Sequence, residues 1–386
     1  MKNESMNIVH IVEASFAGVG RHVLDLVESQ ARSNKVSVIY GAKRESNSFR
    51  ERRLSINSVD WIKIDVSRGL NLADLAVIRQ CRALLSEKNP DVVHGHSTKG
   101  GLLARVCTPA HSKVVYTPNA IYSMNPNLSS GSRKLVSIVE RKLAKRTDTI
   151  ICVSPDELEH INGLGVNREK LFKIPNGIEK PKQFEKRVVR GDLGLADKLT
   201  VGFVGRLDKQ KAPLRLLDIY SVVEKNFNNV QLAVVGDGPL REEAEDYANQ
   251  IGINSVVWLG EMEGTYAMQA FDIFLLPSDY EGFPYVAIEA CACGLPVVAT
   301  SQSNVSAIVH SRKNGYVIDK NEIESLSEAT LTLLRDSNLR QSYSAQSEQI
   351  AGKYSSKRMC QTTFHLYRTL LSADESLERG VGGHEF

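Results

Sequence analysis

Short β-branched runs alternate with helix-spaced segments twice along this chain, and that alternation narrows the possible folds more than any other feature. Asn7 to Val12 (NIVHIV) leads into the small-residue stretch Ala14 to Gly20, and Val19, Val23, Leu26 and Val27 then recur at helical spacing. The pattern repeats at VSVIY (Val36 to Tyr40), DVVHGH (Asp91 to His96), KVVYTP (Lys113 to Pro118) and DTIICVS (Asp148 to Ser154). Such repetition predicts a parallel sheet covered on both faces. Between about Asn176 and Asp197 it gives way to a mixture of Pro, Gly and charges, then resumes at LTVGFVG (Leu199 to Gly205), QLAVVGDG, VVWLG, DIFLLP, PVVAT and GYVID.

The fold class read from this is α/β, with two tandem Rossmann-like, doubly wound domains. Ligands of such sheets bind beyond the carboxyl ends of the strands, so the strand-end loops are expected to line a cleft. The 386 residues suit two cores at roughly 150 residues each. The predicted boundaries are residues 1–180 for the first domain, 181–197 for a linker and 198–355 for the second domain. A helix over 356–372 can pack back on the first domain, and a glycine-containing tail over 373–386 is expected to be disordered.

Composition excludes several classes. With 42% hydrophobic and 24% charged residues the chain is of the ordinary globular type. Its 48 Lys and Arg against 45 Asp and Glu leave a net charge of +3, too small a bias to suggest a nucleic-acid partner. The six cysteines show no zinc or redox spacing and fit a reducing compartment. The start MKNESMNIVHIV lacks the features of a secretory signal, and no window approaches 18 apolar residues, so a cytoplasmic location is expected. Membrane contact is then limited to a surface. Over 133–146, Arg133, Lys134, Arg141, Lys142, Lys145 and Arg146 accompany Leu135, Val136, Ile138, Val139 and Leu143. That stretch reads either as a core-facing helix with a solvated basic face or as a helix lying on the inner face of an anionic membrane.

The chemistry concentrates in the second half. Glu281-Gly282-Phe283-Pro284 follows the strand DIFLLP, Pro284 opens a helix carrying Glu289, and the free N–H groups of that helix start favour an anion. Arg206 and Lys211 follow LTVGFVG at another strand end, where paired cations suit a diphosphate. Taken singly, these residues also fit solvated loop charges. In the first half, Gly18 belongs to a glycine turn of the kind that lets backbone approach a phosphate, without the full dinucleotide fingerprint. His94, His96, Ser97 and Lys99 follow another strand, as candidates for acceptor contact or as structural residues.

Gly205-Arg206 with Lys211, VVGDGPLR (Val234 to Arg241), EGFPYVAIEA (Glu281 to Ala290) and GLPVVAT together resemble the nucleotide-sugar-dependent glycosyltransferases of family 4. The first half is similar as well, through HIVEASFAGVGRHV, DVVHGHSTKGGLLAR, VVYTP, IICVS and IPNGIE. The resemblance implies a GT-B fold and retaining transfer from a nucleotide sugar, UDP-linked by expectation, to a glycan or lipid-linked glycan in cell-surface polysaccharide synthesis. It implies that Arg206 and Lys211 bind the donor diphosphate and stabilise its departing charge. Glu281 would face the donor sugar, Glu289 the ribose, and Gly18 with the backbone at Gly282 and Phe283 the phosphates. No Asp-x-Asp triplet occurs, so neither a metal nor any other cofactor is expected. The departures are Asn119-Ala120 where His-Gly is usual, Ala212 where Gly is usual, and Ser303-Asn304-Val305-Ser306-Ala307 in place of a Gly-Gly-x-Pro-Glu segment. Asn119 can hydrogen-bond a sugar but cannot titrate near neutral pH. A nucleotide-sugar epimerase of the same fold and a catalytically inactive nucleotide-sugar-binding protein are the alternative readings.

Overall fold

A computed structural model describes residues 5–66, 74–125, 128–303 and 305–378. The chain forms two compact units, one made of Met1–Asn176 with Ser356–Phe386 and the other of Gly177–Ser355. The first unit holds a sheet of β1 (Asn7–Val12), β2 (Lys35–Gly41), β3 (Val59–Ile64), β4 (Val92–His96), β5 (Lys113–Thr117), β6 (Thr149–Cys152) and β7 (Leu171–Lys173). Their order is β3-β2-β1-β4-β5-β6-β7, and every pairing is parallel. The central strands are buried on both faces, which is why they read as continuous apolar runs. β3 and β7 lie at the two edges, and β3 exposes Asp60 and Lys63, so neither produced an apolar run in the sequence.

The second unit holds β8 (Leu199–Val204), β9 (Val230–Val235), β10 (Val256–Gly260), β11 (Ile273–Leu276), β12 (Val297–Thr300) and β13 (Gly315–Ile318). They are ordered β10-β9-β8-β11-β12-β13, again all parallel. Strand order reverses between β1 and β4 in one unit and between β8 and β11 in the other. At these switch points neighbouring strand-end loops diverge and leave a crevice.

Two expected boundaries need correction. The stretch 181–197 is not a bare linker, because it contains a helix, Lys186–Asp192, that belongs to the second unit. Lys186 Nζ and Arg190 Nη2 bond the two oxygens of Asp272 at 2.6 and 2.7 Å, and Val189 is fully buried. Basic residues that look like loop charges in the sequence are thus matched to an acid more than 80 residues away. The closing helix, Ser356–Glu378, runs past residue 372, so the expected disorder does not begin at 373; the rest of that tail, 379–386, lies outside the described residues. This helix returns to the first unit, where Met359, Cys360, Leu366 and Tyr367 pack with Ile8, Leu26, Val92 and Val115. The six cysteines are unbridged.

Candidate functional site

In the second unit the site is built at the β8/β11 switch point from loops locked together by backbone. Leu207 N bonds Asp237 O at 2.9 Å and Leu240 N bonds Leu207 O at 2.9 Å. The glycines of GDGP make that approach possible: a Cβ at Gly236 would stand 2.0 Å from Gly205 O, and one at Gly238 2.4 Å from Leu207 O. Gly236 also adopts φ 122°, which excludes other residues. The run VVGDGP therefore sets where Arg206 begins.

Asp208, which sequence reasoning passed over, shapes the turn that follows. Its Oδ1 accepts from Gln210 N and Lys211 N, both at 3.1 Å, and its Oδ2 accepts from Arg206 Nε at 2.8 Å. One carboxylate thus orients the Arg206 guanidinium and fixes the backbone from which Lys211 projects. Lys211 Nζ reaches Glu281 Oε1 at 2.6 Å, with the two side chains 18% and 10% exposed. Gln210 fastens the same loops, since its O accepts from Asp279 N at 2.7 Å and its Nε2 bonds Tyr280 O at 3.0 Å. Arg215 bonds Pro277 O and Asp279, and Lys320 also bonds Asp279. The structure brings Arg206, Lys211 and Glu281 together in this way, with the Arg206 side chain still 54% exposed.

Pro284 caps the helix Tyr285–Ala292, as its position in the sequence suggested, and Glu289 lies on that helix, partly exposed. Phe283 is buried, its ring 5.5 Å from that of Tyr354, which fixes the backbone beside partly exposed Gly282. Ala212, the glycine position of the resemblance, is left-handed at φ 51°, so the turn keeps the glycine conformation without the glycine. A cavity of about 580 Å³ in this unit is lined by Lys209, Ala212, Arg215, Asp279 and Lys320 among others, on the same loops as Lys211 and Glu281 but not by those two residues. In the replaced segment after β12, Asn304 lies outside the described residues.

In the first unit, the expected glycine loop is shorter than the sequence suggested. The helix Ala17–Gln30 starts before Gly18, which sits in its first turn, and the left-handed residue there is Ala17 at φ 47°. His96 is fully buried, and Lys99 is enclosed with its ammonium 2.7 Å from Asp74. Asn119 is the one acceptor-side candidate of these three that reaches the surface in part.

His96 belongs to a group of four buried histidines, of which sequence reasoning missed His10 and His22. His10 pairs in register with His94, and the rings of His94 and His96 are 3.9 Å apart. Gln30 Oε1 accepts from His10 Nε2 at 2.7 Å, so the neutral His10 ring accepts at Nδ1 from His96 Nε2 at 2.9 Å. This leaves His96 Nδ1 as an enclosed lone pair with no partner among the described residues. His94 bonds Tyr367 and Thr117, and His22 bonds Asn176. Burial pushes the pKa of His10 and of His22 down to about 4 and those of His94 and His96 well below the ordinary range. His10, His94 and His96 are also the one trio of potential metal ligands among the described residues, each offering an atom within 4.8 Å of the others. Apart from His96 Nδ1, their ring nitrogens already serve the hydrogen bonds above.

The comparisons with known proteins agree with this architecture. Residues 16–180 match the family Glycosyltransferase Family 4, and residues 186–350 match Glycosyl transferases group 1. The chain is a family 4 glycosyltransferase with the GT-B fold. This glycosyltransferase is 28% identical over 284 residues to the UDP-Gal:alpha-D-GlcNAc-diphosphoundecaprenol alpha-1,3-galactosyltransferase of Escherichia coli, covering 69% of this chain and 72% of the relative. It is 27% identical over 310 residues to the D-inositol 3-phosphate glycosyltransferase of Corynebacterium urealyticum, covering 74% and 73%. Among solved structures, HepE of Anabaena in complex with UDP and glucose superposes with a TM-score of 0.82 at 20% identity, covering 94% of this chain and all of that one.

Proposed function

We propose that this glycosyltransferase moves a hexosyl or N-acetylhexosaminyl group from a UDP-linked donor to a glycan or lipid-linked glycan, with retention, in cell-surface polysaccharide synthesis. The observation that carries the proposal is the convergence of Arg206, Lys211 and Glu281 at one switch point, with Asp208 holding the Arg206 guanidinium and the Lys211 backbone. Arg206 and Lys211 hold the diphosphate, Glu281 faces the donor sugar and Glu289 the ribose. The bond from the anomeric carbon to the diphosphate oxygen breaks while a bond to the acceptor oxygen forms on the same face. The acceptor's proton passes to the departing phosphate, and the two cations stabilise the charge that grows there. No divalent ion is required in this scheme, because side chains supply the positive charge. UDP as the donor nucleotide is supported by the UDP named for the Escherichia coli relative and the Anabaena structure.

The test is incubation with a panel of UDP-sugars, with and without a diphosphopolyprenyl glycan, in EDTA, and determination of the product's anomeric configuration. Retained configuration in a metal-free reaction is expected. Inverted product, or activity restored only by magnesium or manganese, would reject those parts of the scheme. Free UDP with an isomerised sugar in the absence of acceptor would favour the epimerase, and binding without turnover on any donor the inactive protein.

The acceptor side extends to a membrane surface. On the helix Ser130–Leu143, Glu140 points inward to Arg105 at 2.6 Å, while Leu135, Ile138 and Val139 are 63%, 41% and 43% exposed. These three face outward while Val136 and Leu143 are partly buried, which supports the membrane reading, and exposed Lys134, Arg141 and Lys142 lie on the same helix. An apolar stripe accompanied by cations suits the headgroup region of an anionic bilayer. Among the described residues no helix is long and apolar enough to cross a membrane. Flotation with vesicles of phosphatidylcholine and phosphatidylglycerol tests this: Leu135→Ser with Ile138→Ser should lose binding, and wild-type protein that ignores such vesicles at low salt would refute it.

A further inference from the structure

The loop after β5 carries two consecutive non-glycine residues in left-handed conformations, Asn119 at φ 53° and Ala120 at φ 83°. Asn enters this region more readily than most residues, but Ala does not, and two such residues in succession require the surroundings to hold them. Here the imposing group is Glu157. Its Oε1 accepts from the N–H groups of Ala120 and Ile121, both at 2.9 Å, and its Oε2 accepts from Val153 N at 2.9 Å.

Glu157 sits in the first turn of the helix Pro155–Gly163, whose cap is Ser154, and Glu157 N bonds Ser154 Oγ at 3.1 Å. An acid at this position commonly reaches back to its own helix start. This one does so with a single oxygen and uses the other to strap the neighbouring loop. Further along the helix, His160 bonds Ser123 at 2.8 Å, so the segment from 119 to 123 is fastened twice to one helix. Glu157 is 1% exposed, too enclosed to reach a substrate itself.

The loop begins with an unused donor. Asn119 Nδ2 is enclosed and has no hydrogen-bond partner among the described residues, at the carboxyl end of a central strand where sheets of this kind bind ligands. We infer that Glu157 is the positioning residue of this loop, holding Asn119, the acceptor-side candidate named above, where its amide can turn to donate to a sugar oxygen during transfer. The inference rests on the proposed glycosyl transfer and adds a residue outside the donor motif.

The carboxylate that holds the loop is also able to titrate. Burial raises its pKa to about 6 against the lowering effect of the three N–H groups. Around it stand Tyr116 of β5 and Cys152 of β6, both kept neutral by burial, with the Arg105–Glu140 pair beyond Tyr116 and His160 lowered on its own helix. Protonation of Glu157 would set an O–H against an N–H and release part of the strap, so activity falls as pH drops through about 6.

The experiment compares Glu157→Gln, Glu157→Asp, Asn119→Ala and the Gln/Ala double variant in two assays. Amide hydrogen exchange needs no substrate. Glu157→Gln should accelerate exchange at Ala120, Ile121 and Val153 while β1 and β4 stay protected, and unchanged exchange there overturns the strap. UDP release from UDP-glucose or UDP-galactose is the second assay. Glu157→Gln should lower kcat about 10- to 100-fold and lose the acid limb near pH 6, Glu157→Asp should restore part of both, and the double variant should be no worse than the worse single one. Additive losses, or a Gln variant that keeps the limb, overturn the positioning role. If Glu157→Gln does not fold, Glu157→Asp decides both assays. A wild-type chain that turns over no UDP-sugar refutes the functional reading, while the exchange result still judges the strap.

Discussion

Both sheets reverse strand order between their first and fourth strands, β1 and β4 in one unit and β8 and β11 in the other, but they furnish the reversal differently. The first unit places buried, hydrogen-bonded, neutral histidines there. The second places ionised side chains there, with Arg206 and Lys211 set by Asp208 and Lys211 joined to Glu281. Both solutions pair most of the polar side chains placed beside the reversal, which burial would otherwise penalise. They differ in what disturbs them. Neutral imidazoles in a core are sensitive to acid, whereas ion pairs at a partly exposed strand end can exchange partners with an incoming anion. One geometry serves stability and the other has the charge that the proposed diphosphate site requires.

Acid should separate the two units most strongly. The folded-state pKa of His10 and of His22 is lowered from 6.5 to about 4, so each contributes stability that is complete above 6.5 and is lost as pH falls toward 4. At about 1.4 kcal/mol per unit, each contributes roughly 3 kcal/mol over that window. Glu157 acts in the opposite direction between 4.5 and about 6, by a smaller amount. The two tryptophans resolve the units, since Trp61 lies on β3 and Trp258 on β10. In urea titrations at pH 7 and pH 4.5, a Trp258→Phe protein reporting through Trp61 should lose several kcal/mol. A Trp61→Phe protein reporting through Trp258 should lose much less. Equal losses would mean that the histidines do not distinguish the units.

Removing charge should affect the second unit by way of its ligand. Lys211→Ala should weaken UDP binding by about 2–5 kcal/mol in calorimetry, the cost typical of breaking a desolvated charge contact, and also leaves Glu281 without its 2.6 Å partner; Arg206→Ala should weaken it by less, because that side chain is 54% exposed and screened by water. His96→Gln in the first unit should leave UDP affinity unchanged. UDP binding that survives both charge deletions would place the diphosphate elsewhere.

Within the second unit the two glutamates should fail differently. Glu281→Gln should lower turnover by about 10²–10³-fold, because a charge beside the reacting sugar acts chiefly in the transition state. Glu289→Gln, on the helix beyond, should raise the donor KM and spare kcat, as loss of uniform binding does. The reverse pattern in steady-state kinetics would mean the roles are exchanged.

The sequence made the architecture legible where strands are central, because burial on both faces leaves continuous apolar runs such as NIVHIV and DIFLLP. It hid β3 and β7, whose edge positions permit charges, and the helix Lys186–Asp192, whose apolar content is two valines between basic residues. At the site, Arg206, Lys211 and Glu281 could be read because a strand end followed by a cation or an acid is a local pattern. Asp208 was visible in the same motif but carried no signal of its role, which depends on which N–H groups its carboxylate meets. Glu157 and the histidine cluster depend on distant pairs, such as His10 with His96, 86 residues apart, and Glu157 with Ala120, 37 apart. Periodicity does not encode contacts of that kind.

The smallest predicted effect concerns strain at Ala212. The residue is left-handed at φ 51° and ψ 60°, between the turn shaped by Asp208 and the helix that begins at Pro213. In that region a Cβ crowds the following carbonyl at a cost of about 1–2 kcal/mol, which glycine avoids. Glycine also adds freedom to the unfolded chain, a penalty of roughly 0.5–1 kcal/mol. Ala212→Gly should therefore stabilise the second unit by no more than about 1.5 kcal/mol, with UDP affinity unchanged, since the hydrogen bonds that hold the Lys211 backbone come from Asp208. At Ala120 of the first unit the same change relieves similar strain but loosens a loop that Glu157 must hold, so any gain there should be accompanied by lower turnover. Thermal unfolding read through Trp258 in the Trp61→Phe background measures the first effect. A fall in stability would show that the methyl of Ala212 supports the turn, and that its conformation is not strained.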